Sequence, residues 1–471
     1  LPLPNTTYAT GLTPAIPDWR YPNNLPNGPF QLTNAKAPYK TAYFGDPVHR
    51  FFQMWQMTNQ GKNDLFVWVG MTAAVGSQSS WPGAPTQGDT QQGGEAMGFY
   101  NMNTGDVPVF KSLADQYAIS DNYHQYIMGG TGANFQALVS GDVAFYNVNG
   151  KPATPPSNQI ENPNPHAGTN NWYTQDGYSG GSFVNCANRL MPGVNAIFSY
   201  LDTQPNIFNN GNCAMDTYYL VNNYSLGYKV DGTPNPYGQP NQLVLPPQTI
   251  PTIADALSAK GVSWKYYSGG RNADGTTSNE YCGICDPLTG YSSIMTTAKK
   301  NRLQGMGAFN KDVASATTLP TVSFIRPFES KAGHPANARM SDFEGFIASV
   351  VNKVKANPDL WKTTAILVTV DEGGGYYDSG YIQPIDFFGD GTRIPFVAIS
   401  PWAKKGYIDH NYGDHASILK FIEKNWGLQP LSSRSRDNLP NPKASTGNAY
   451  VPANQPAITD LMKMFDFTQK L

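Results

Sequence analysis

The sequence predicts an α/β sandwich with a mainly parallel sheet. Two observations carry this. Short, uncharged, β-rich runs alternate with amphipathic helical stretches over residues 251–430, and one run leads straight into paired carboxylates followed by three glycines. The alternation begins before residue 145 and is interrupted over 145–250 by a stretch rich in Asn, Pro, Gly and Tyr.

Residues 1–45 are rich in Pro and Asn with little periodicity and read as an extended arm over a core. A helix is expected over 48–57, a short apolar strand over 65–69, and a helix over 109–117 that leads into Ala118-Ile119-Ser120. Within the polar insertion one helical stretch, 194–202, stands out. The alternation then resumes: helix 251–260, strand 263–267, strand 321–325 closed by Pro327, and an amphipathic helix to about residue 356. That helix is expected to open on a capping box of Ser341 and Glu344. Runs 364–370 and 394–400 have the composition of buried strands, and a helix over 414–426 is ended by Gly427.

The chain has 471 residues, with 32 basic and 34 acidic side chains and a formal net charge of -2. No nucleic-acid footprint or polybasic membrane patch is present. No run reaches the roughly 18 apolar residues of a membrane helix. Charged residues are 14% of the chain, against a usual ~25%, so the surface is largely polar and uncharged. The start, Leu1-Pro2-Leu3-Pro4-Asn5, lacks an initiator Met and a signal-like run, which reads as a processed chain. Four cysteines are read as two local disulfides, Cys186 with Cys213 and Cys282 with Cys285, the alternative being four reduced thiols. Together these features point to secretion or the periplasm.

Reactive groups in open α/β sheets gather beyond the carboxyl ends of strands. There the run 364–370 meets Asp371-Glu372-Gly373-Gly374-Gly375, a pattern suited to a hard divalent cation or a phosphoryl group held by one. The segment Gly129-Gly130-Thr131-Gly132-Ala133-Asn134 suits a tight turn into a helix over about 134–139. Thr131 is placed at its N-terminus, where an anion and a reactive hydroxyl are favoured, and Gly130, Gly132 and Asn134 line a phosphate loop. Of six histidines, His49 and His334 stand where they could reach the same edge for proton transfer. Asp414 and His415 are read as helix-capping residues, and Asn223-Tyr224-Ser225 fits a glycosylation sequon.

The combination resembles a known family. Asp121-Asn122-Tyr123-His124-Gln125, Gly130-Thr131-Gly132-Ala133-Asn134, the run 319–324 with His334-Pro335, the run 365–374 and the run 393–407 are similar, in order, to the bacterial acid phosphatase and phospholipase C phosphoesterases. That family belongs to the alkaline-phosphatase-like superfamily, and the resemblance implies a three-layer sandwich of that type with a polar cap insertion. It implies Thr131 as a nucleophile that forms a phospho-enzyme, and one divalent metal ion held by Asp371, Glu372 and Thr131. It implies His49 and His334 as the proton-transfer pair, and phosphate esters as substrates. The two cysteine pairs also look like those of the secreted acid-phosphatase branch.

The family carries, ahead of all these segments, a Glu-Asn-x-Ser-Phe-Asp type block that supplies metal ligands, and this sequence contains none. Ser379 follows Asp378 where the family often has His. The expectation is therefore a phosphoesterase partnered by a separate N-terminal fragment of the same precursor, or a catalytically silent extracellular binding protein on the same fold. The expected organisation is an arm over 1–45, core segments over 46–144 and 251–471, and a cap over 145–250.

Overall fold

The structure, a computed structural model, describes residues 29–31, 47–66, 98–101, 105–163, 181–335 and 337–469. Most of the expected arm, and residues 67–69 of the expected strand at 65–69, lie outside the described residues.

Seven strands form the two larger sheets: β1 (Ala118–Ser120), β2 (Trp264–Ser268), β3 (Leu303–Gly305), β4 (Val322–Arg326), β5 (Ile366–Thr369), β6 (Phe396–Ile399) and β7 (Tyr407–Asp409). One sheet has the order β4-β2-β3 and is parallel throughout. The other has the order β5-β6-β1-β7, in which β6 is antiparallel to both neighbours and β7 is parallel to β1. The α/β class is as expected, whereas a single, mainly parallel sheet is replaced by one parallel and one mixed sheet. The cause is local: the link between β5 and β6 contains no crossover helix, so the chain returns in the opposite direction.

The larger helices are α1 (Phe51–Thr58), α2 (Pro108–Gln116), α3 (Thr131–Ser140), α4 (Val194–Leu201), α5 (Ile253–Ala259), α6 (Met306–Asp312), α7 (Met340–Lys355) and α8 (His415–Trp426). In α7 the buried residues Phe343, Ile347, Val350, Val351 and Val354 recur at helical spacing and face the core. Its expected capping box is absent. Arg339 is the N-cap and makes no side-chain cap bond, while the Glu344 carboxylate accepts the Phe110 N–H of α2 at 2.8 Å. That longer-range bond ties α7 to α2. A capping box is found instead at α8, between Asp414 and Ser417, and Gly427 ends that helix at φ 61°.

Residues 181–250 pack into the main hydrophobic core rather than standing apart from it. Phe183–Val184 pairs with Tyr219–Leu220, and Tyr219 meets Phe388 edge-on at 5.0 Å. Behind α8 sits Arg436, fully buried beyond the last helix. It donates to Asp386 at 2.5 and 3.0 Å, to Asp390 at 2.5 Å, to Asp414 at 3.3 Å and to the Tyr126 carbonyl at 2.9 Å. Burial and the neighbouring Asp414 charge push the Asp390 carboxyl above the usual carboxylate range, against the opposing pull of the Arg436 charge. No helix among the described residues is long and apolar enough to cross a membrane.

Candidate active site

The helix that carries Thr131 starts at Thr131 itself, three residues earlier than its composition predicts, with Gly130 as an extended N-cap. Close packing explains the glycines. A Cβ on Gly129 would lie 1.7 Å from the Val221 carbonyl oxygen, and one on Gly130 2.8 Å from the Asn223 amide. Asn134 holds the loop from inside: its Oδ1 accepts the Ile127 N–H at 2.9 Å, and its Nδ2 donates to the carbonyls of Ile127 and Gly129 at 3.1 and 3.0 Å. The Gly132 N–H is bound by Asn223 Oδ1 at 2.6 Å and the Ala133 N–H by the Asn222 carbonyl at 3.2 Å. Two amides at the helix start are thus already occupied.

Asn222 and Asn223 come from the Asn-rich stretch 145–250 that interrupts the helix–strand alternation. Both are buried, and Asn222 also accepts the Phe51 N–H at 3.1 Å and donates to Glu161 at 3.1 Å. Glu161 in turn pairs with buried Arg50 at 2.8 Å. The sequon at Asn223 is therefore inside the protein. An Asn-Asn pair among many Asn residues gave no signal of this role.

A hydroxyl and an imidazole converge on one carboxylate oxygen. Glu372 Oε1 lies 3.4 Å from Thr131 Oγ1 and 3.4 Å from His49 Nε2. The other carboxylate oxygen accepts the Gly374 N–H at 2.6 Å. His49 Nδ1 lies 2.7 Å from the Pro47 carbonyl, which only accepts, so Nδ1 carries the proton. Gln125 Oε1 accepts the Gly373 N–H at 2.7 Å and fixes the glycine run. Gly375, at φ 72°, passes so close to Val48 that a Cβ would lie 2.2 Å from its carbonyl oxygen.

Asp371 is anchored through its backbone. His415 Nε2 donates to its carbonyl at 2.6 Å, which gives His415 a positioning role in addition to its place in the first turn of α8. Burial holds the His415 imidazole below its ordinary range. Asp378 is gripped by Arg393 through Nε at 3.0 Å, Nη2 at 2.7 Å and the backbone N–H at 2.9 Å. Burial disfavours its charge, but these bonds and the Arg393 charge hold it below the usual carboxylate range.

A cavity of about 1290 Å³ has Thr131, Asn134, His334, Asp371, Glu372 and His415 on its wall. His334 Nδ1 lies 2.7 Å from the Pro335 carbonyl, which again places the proton on Nδ1. Both expected disulfides are formed, Cys186 with Cys213 and Cys282 with Cys285. Among the described residues, one group of three His, Cys, Asp or Glu side chains is close enough to share an ion: Cys282, Cys285 and Glu329. The disulfide removes its thiolates.

The donors around Glu372 fit a divalent metal. With the proton on His49 Nδ1, the electron-rich Nε2 and the Glu372 carboxylate oxygen face each other, an arrangement favoured by a cation shared between them. Carboxylate, imidazole and hydroxyl are ligands of hard and borderline divalent ions.

The end of an α/β strand thus brings a helix-start hydroxyl, a carboxylate and an imidazole together. The chain belongs to the phosphoesterase family, whose model matches residues 10–429. It is 24% identical to the hemolytic phospholipase C of Pseudomonas aeruginosa, over 71% of this chain and 40% of that protein. It is 23% identical to phospholipase C B of Mycobacterium tuberculosis, over 90% of this chain and 68% of that protein. An acid phosphatase of Aspergillus fumigatus is 28% identical over 39% of this chain and 41% of its own length. The matches to the Pseudomonas and Burkholderia phospholipases C span 31–40% of those proteins. Among solved structures, a protein in the alkaline phosphatase superfamily from Vibrio parahaemolyticus covers 69% of this chain and 62% of its own at TM-score 0.32 and 10% identity.

Proposed function

We propose that the protein is a secreted, metal-dependent phosphoesterase of the acid phosphatase or phospholipase C type, acting through a phospho-threonine at Thr131. The supporting observation is the shared Glu372 oxygen, 3.4 Å from both Thr131 Oγ1 and His49 Nε2. Glu372, Thr131 and His49, with Asp371 adjacent, would hold one divalent ion, which when bound lowers the hydroxyl pKa and screens phosphoryl oxygens.

Thr131 Oγ, its proton passed to solvent, attacks phosphorus as the bond to the ester oxygen breaks, and the departing oxygen takes a proton from the His334 imidazolium, since His49 Nε2 is directed at the metal position. Water then attacks the phospho-threonine, phosphate leaves, and Thr131 regains its proton. The Asn134 and Asn223 bonds fix the turn that carries Thr131, which lines the cavity. Two disulfides and a weakly charged surface support an oxidising compartment. A separate N-terminal fragment of the same precursor belongs to this reading as a source of further metal ligands.

The test is hydrolysis of p-nitrophenyl phosphate by the isolated protein. Thr131→Ala is expected to lower turnover on the order of 10³-fold, and acid quenching of the parent should trap phosphate on the peptide containing Thr131. Full activity in the variant rejects the reading. A folded parent that turns over no ester supports the silent binding protein instead.

A further inference from the structure

The start of α1 has no side-chain cap of its own. Its N-cap is Arg50, which makes no side-chain cap bond, and the first N–H of the helix, on Phe51, is taken instead by Asn222 Oδ1 at 3.1 Å, 171 positions away. The carbonyl of the same Asn222 accepts the Ala133 N–H at the start of α3, at 3.2 Å. One residue therefore holds two helix starts. His49 stands just before the first of them and Thr131 opens the second.

An asparagine amide serves a donor such as the Phe51 N–H only when its oxygen faces that donor; turned over, it sets two N–H groups against each other. Glu161 fixes the orientation. Its Oε2 accepts Asn222 Nδ2 at 3.1 Å, which turns Oδ1 toward α1. The same oxygen accepts Arg50 Nη2 at 2.8 Å, and Arg50 also donates to the Gly181 carbonyl. Glu161 is held in turn by its backbone. Its N–H donates to the Phe183 carbonyl at 2.8 Å and the Val221 N–H to the Ser182 carbonyl at 2.9 Å, so the segments that carry Glu161 and Asn222 are both tied to residues 182–183. The Arg50 and Glu161 side chains are 6% and 1% exposed, so each charge depends on the other rather than on water.

We propose that Glu161 is a positioning residue for the phosphoryl-transfer centre, setting through Asn222 and Arg50 the spacing between His49 and Thr131. The role rests on the phosphoesterase reading of that centre. Glu372 Oε1 stands 3.4 Å from both Thr131 Oγ1 and His49 Nε2, and it can serve both only while the two helix starts keep their spacing. Misplacement by about 1 Å costs on the order of 100-fold in turnover. Loss of a partner behind metal-binding side chains costs about 10- to 100-fold in affinity. Glu161 is not on the cavity wall, so it acts through other residues and does not touch substrate.

Removing the Glu161 carboxylate alone would strand a buried guanidinium, so the test uses two double variants that lack both charges. Arg50→Met with Glu161→Gln keeps a side-chain oxygen for Asn222 Nδ2 and supplies an N–H for the Gly181 carbonyl. Arg50→Met with Glu161→Leu keeps neither. A merely structural ion pair makes the two variants behave alike, whereas the positioning role separates them. The leucine variant should bind Mn2+, followed by electron paramagnetic resonance, at least about tenfold more weakly than the parent. Its kcat on p-nitrophenyl phosphate should fall by a similar factor with KM little changed, and its Phe51 amide should exchange at least about tenfold faster. The glutamine variant should bring all three back close to the parent values. A leucine variant that matches the parent in Phe51 exchange and Mn2+ affinity overturns the proposal, and so does a glutamine variant as impaired as the leucine one. A folded parent that hydrolyses no ester, with the Phe51 difference intact, defeats only the phosphoesterase reading. An active parent without that difference defeats only this one.

Discussion

Asn223 Oδ1 accepts the Gly132 N–H at 2.6 Å, directly after the Thr131 position and 91 residues away in sequence. Asn223→Ala leaves that buried donor unpaired, at a cost of about 1–3 kcal/mol, and loosens the turn holding Thr131. The expected outcome is a 10- to 100-fold fall in kcat with a smaller change in KM, measured on an aryl phosphate. An unchanged kcat in a folded variant contradicts the positioning role.

Glu372→Gln keeps an oxygen for the Gly374 N–H but removes the negative charge between Thr131 and His49. Affinity for Mn2+, followed by electron paramagnetic resonance, should fall at least about tenfold, while the melting temperature stays within a few degrees. Equal Mn2+ binding by the two proteins would remove Glu372 from the metal site.

Gly375→Ala places a methyl at a positive φ and against the Val48 carbonyl. Relief requires moving the segment that carries His49. Denaturant unfolding should show a loss of about 1–3 kcal/mol, with turnover falling further than stability alone explains.

Acid should destabilise the fold through two buried imidazoles. Burial holds His124 at about 4 and also lowers His415, so both are neutral in the native state. Unfolded histidines bind protons near pH 6.5. Stability is therefore complete above that pH and falls as the pH drops toward 4, by about 3 kcal/mol for His124 alone. Urea titrations at pH 7 and pH 4 measure the difference, and His124→Gln should flatten the slope.

The strand-end carboxylates, the Thr131 turn, the Cys282–Cys285 disulfide and most helix bounds were legible in the sequence because each depends on neighbours a few residues apart. What was not legible depends on distant partners. Glu344 has the spacing of a capping box, yet it bonds Phe110 across 234 positions. The direction of β6 is set by a helix-free return loop that strand composition does not register. His415 sits where a capping residue would, and only the fold brings it to the Asp371 carbonyl. Asn222 and Asn223 are two asparagines in an Asn-rich stretch until the backbone folds them onto α3.

The Arg436 cluster sets a limit on how far the chain can be shortened. The family match ends at residue 429, which invites a cut just after Gly427, where α8 also ends. Arg436 lies beyond that point, and it is the cation at the centre of Asp386, Asp390 and Asp414 in the interior. A protein trimmed at the family boundary would retain three acidic side chains in a dry pocket with their counter-ion removed, and several kcal/mol of stability would go with it. The smallest independently folding unit therefore extends past the end of the family match.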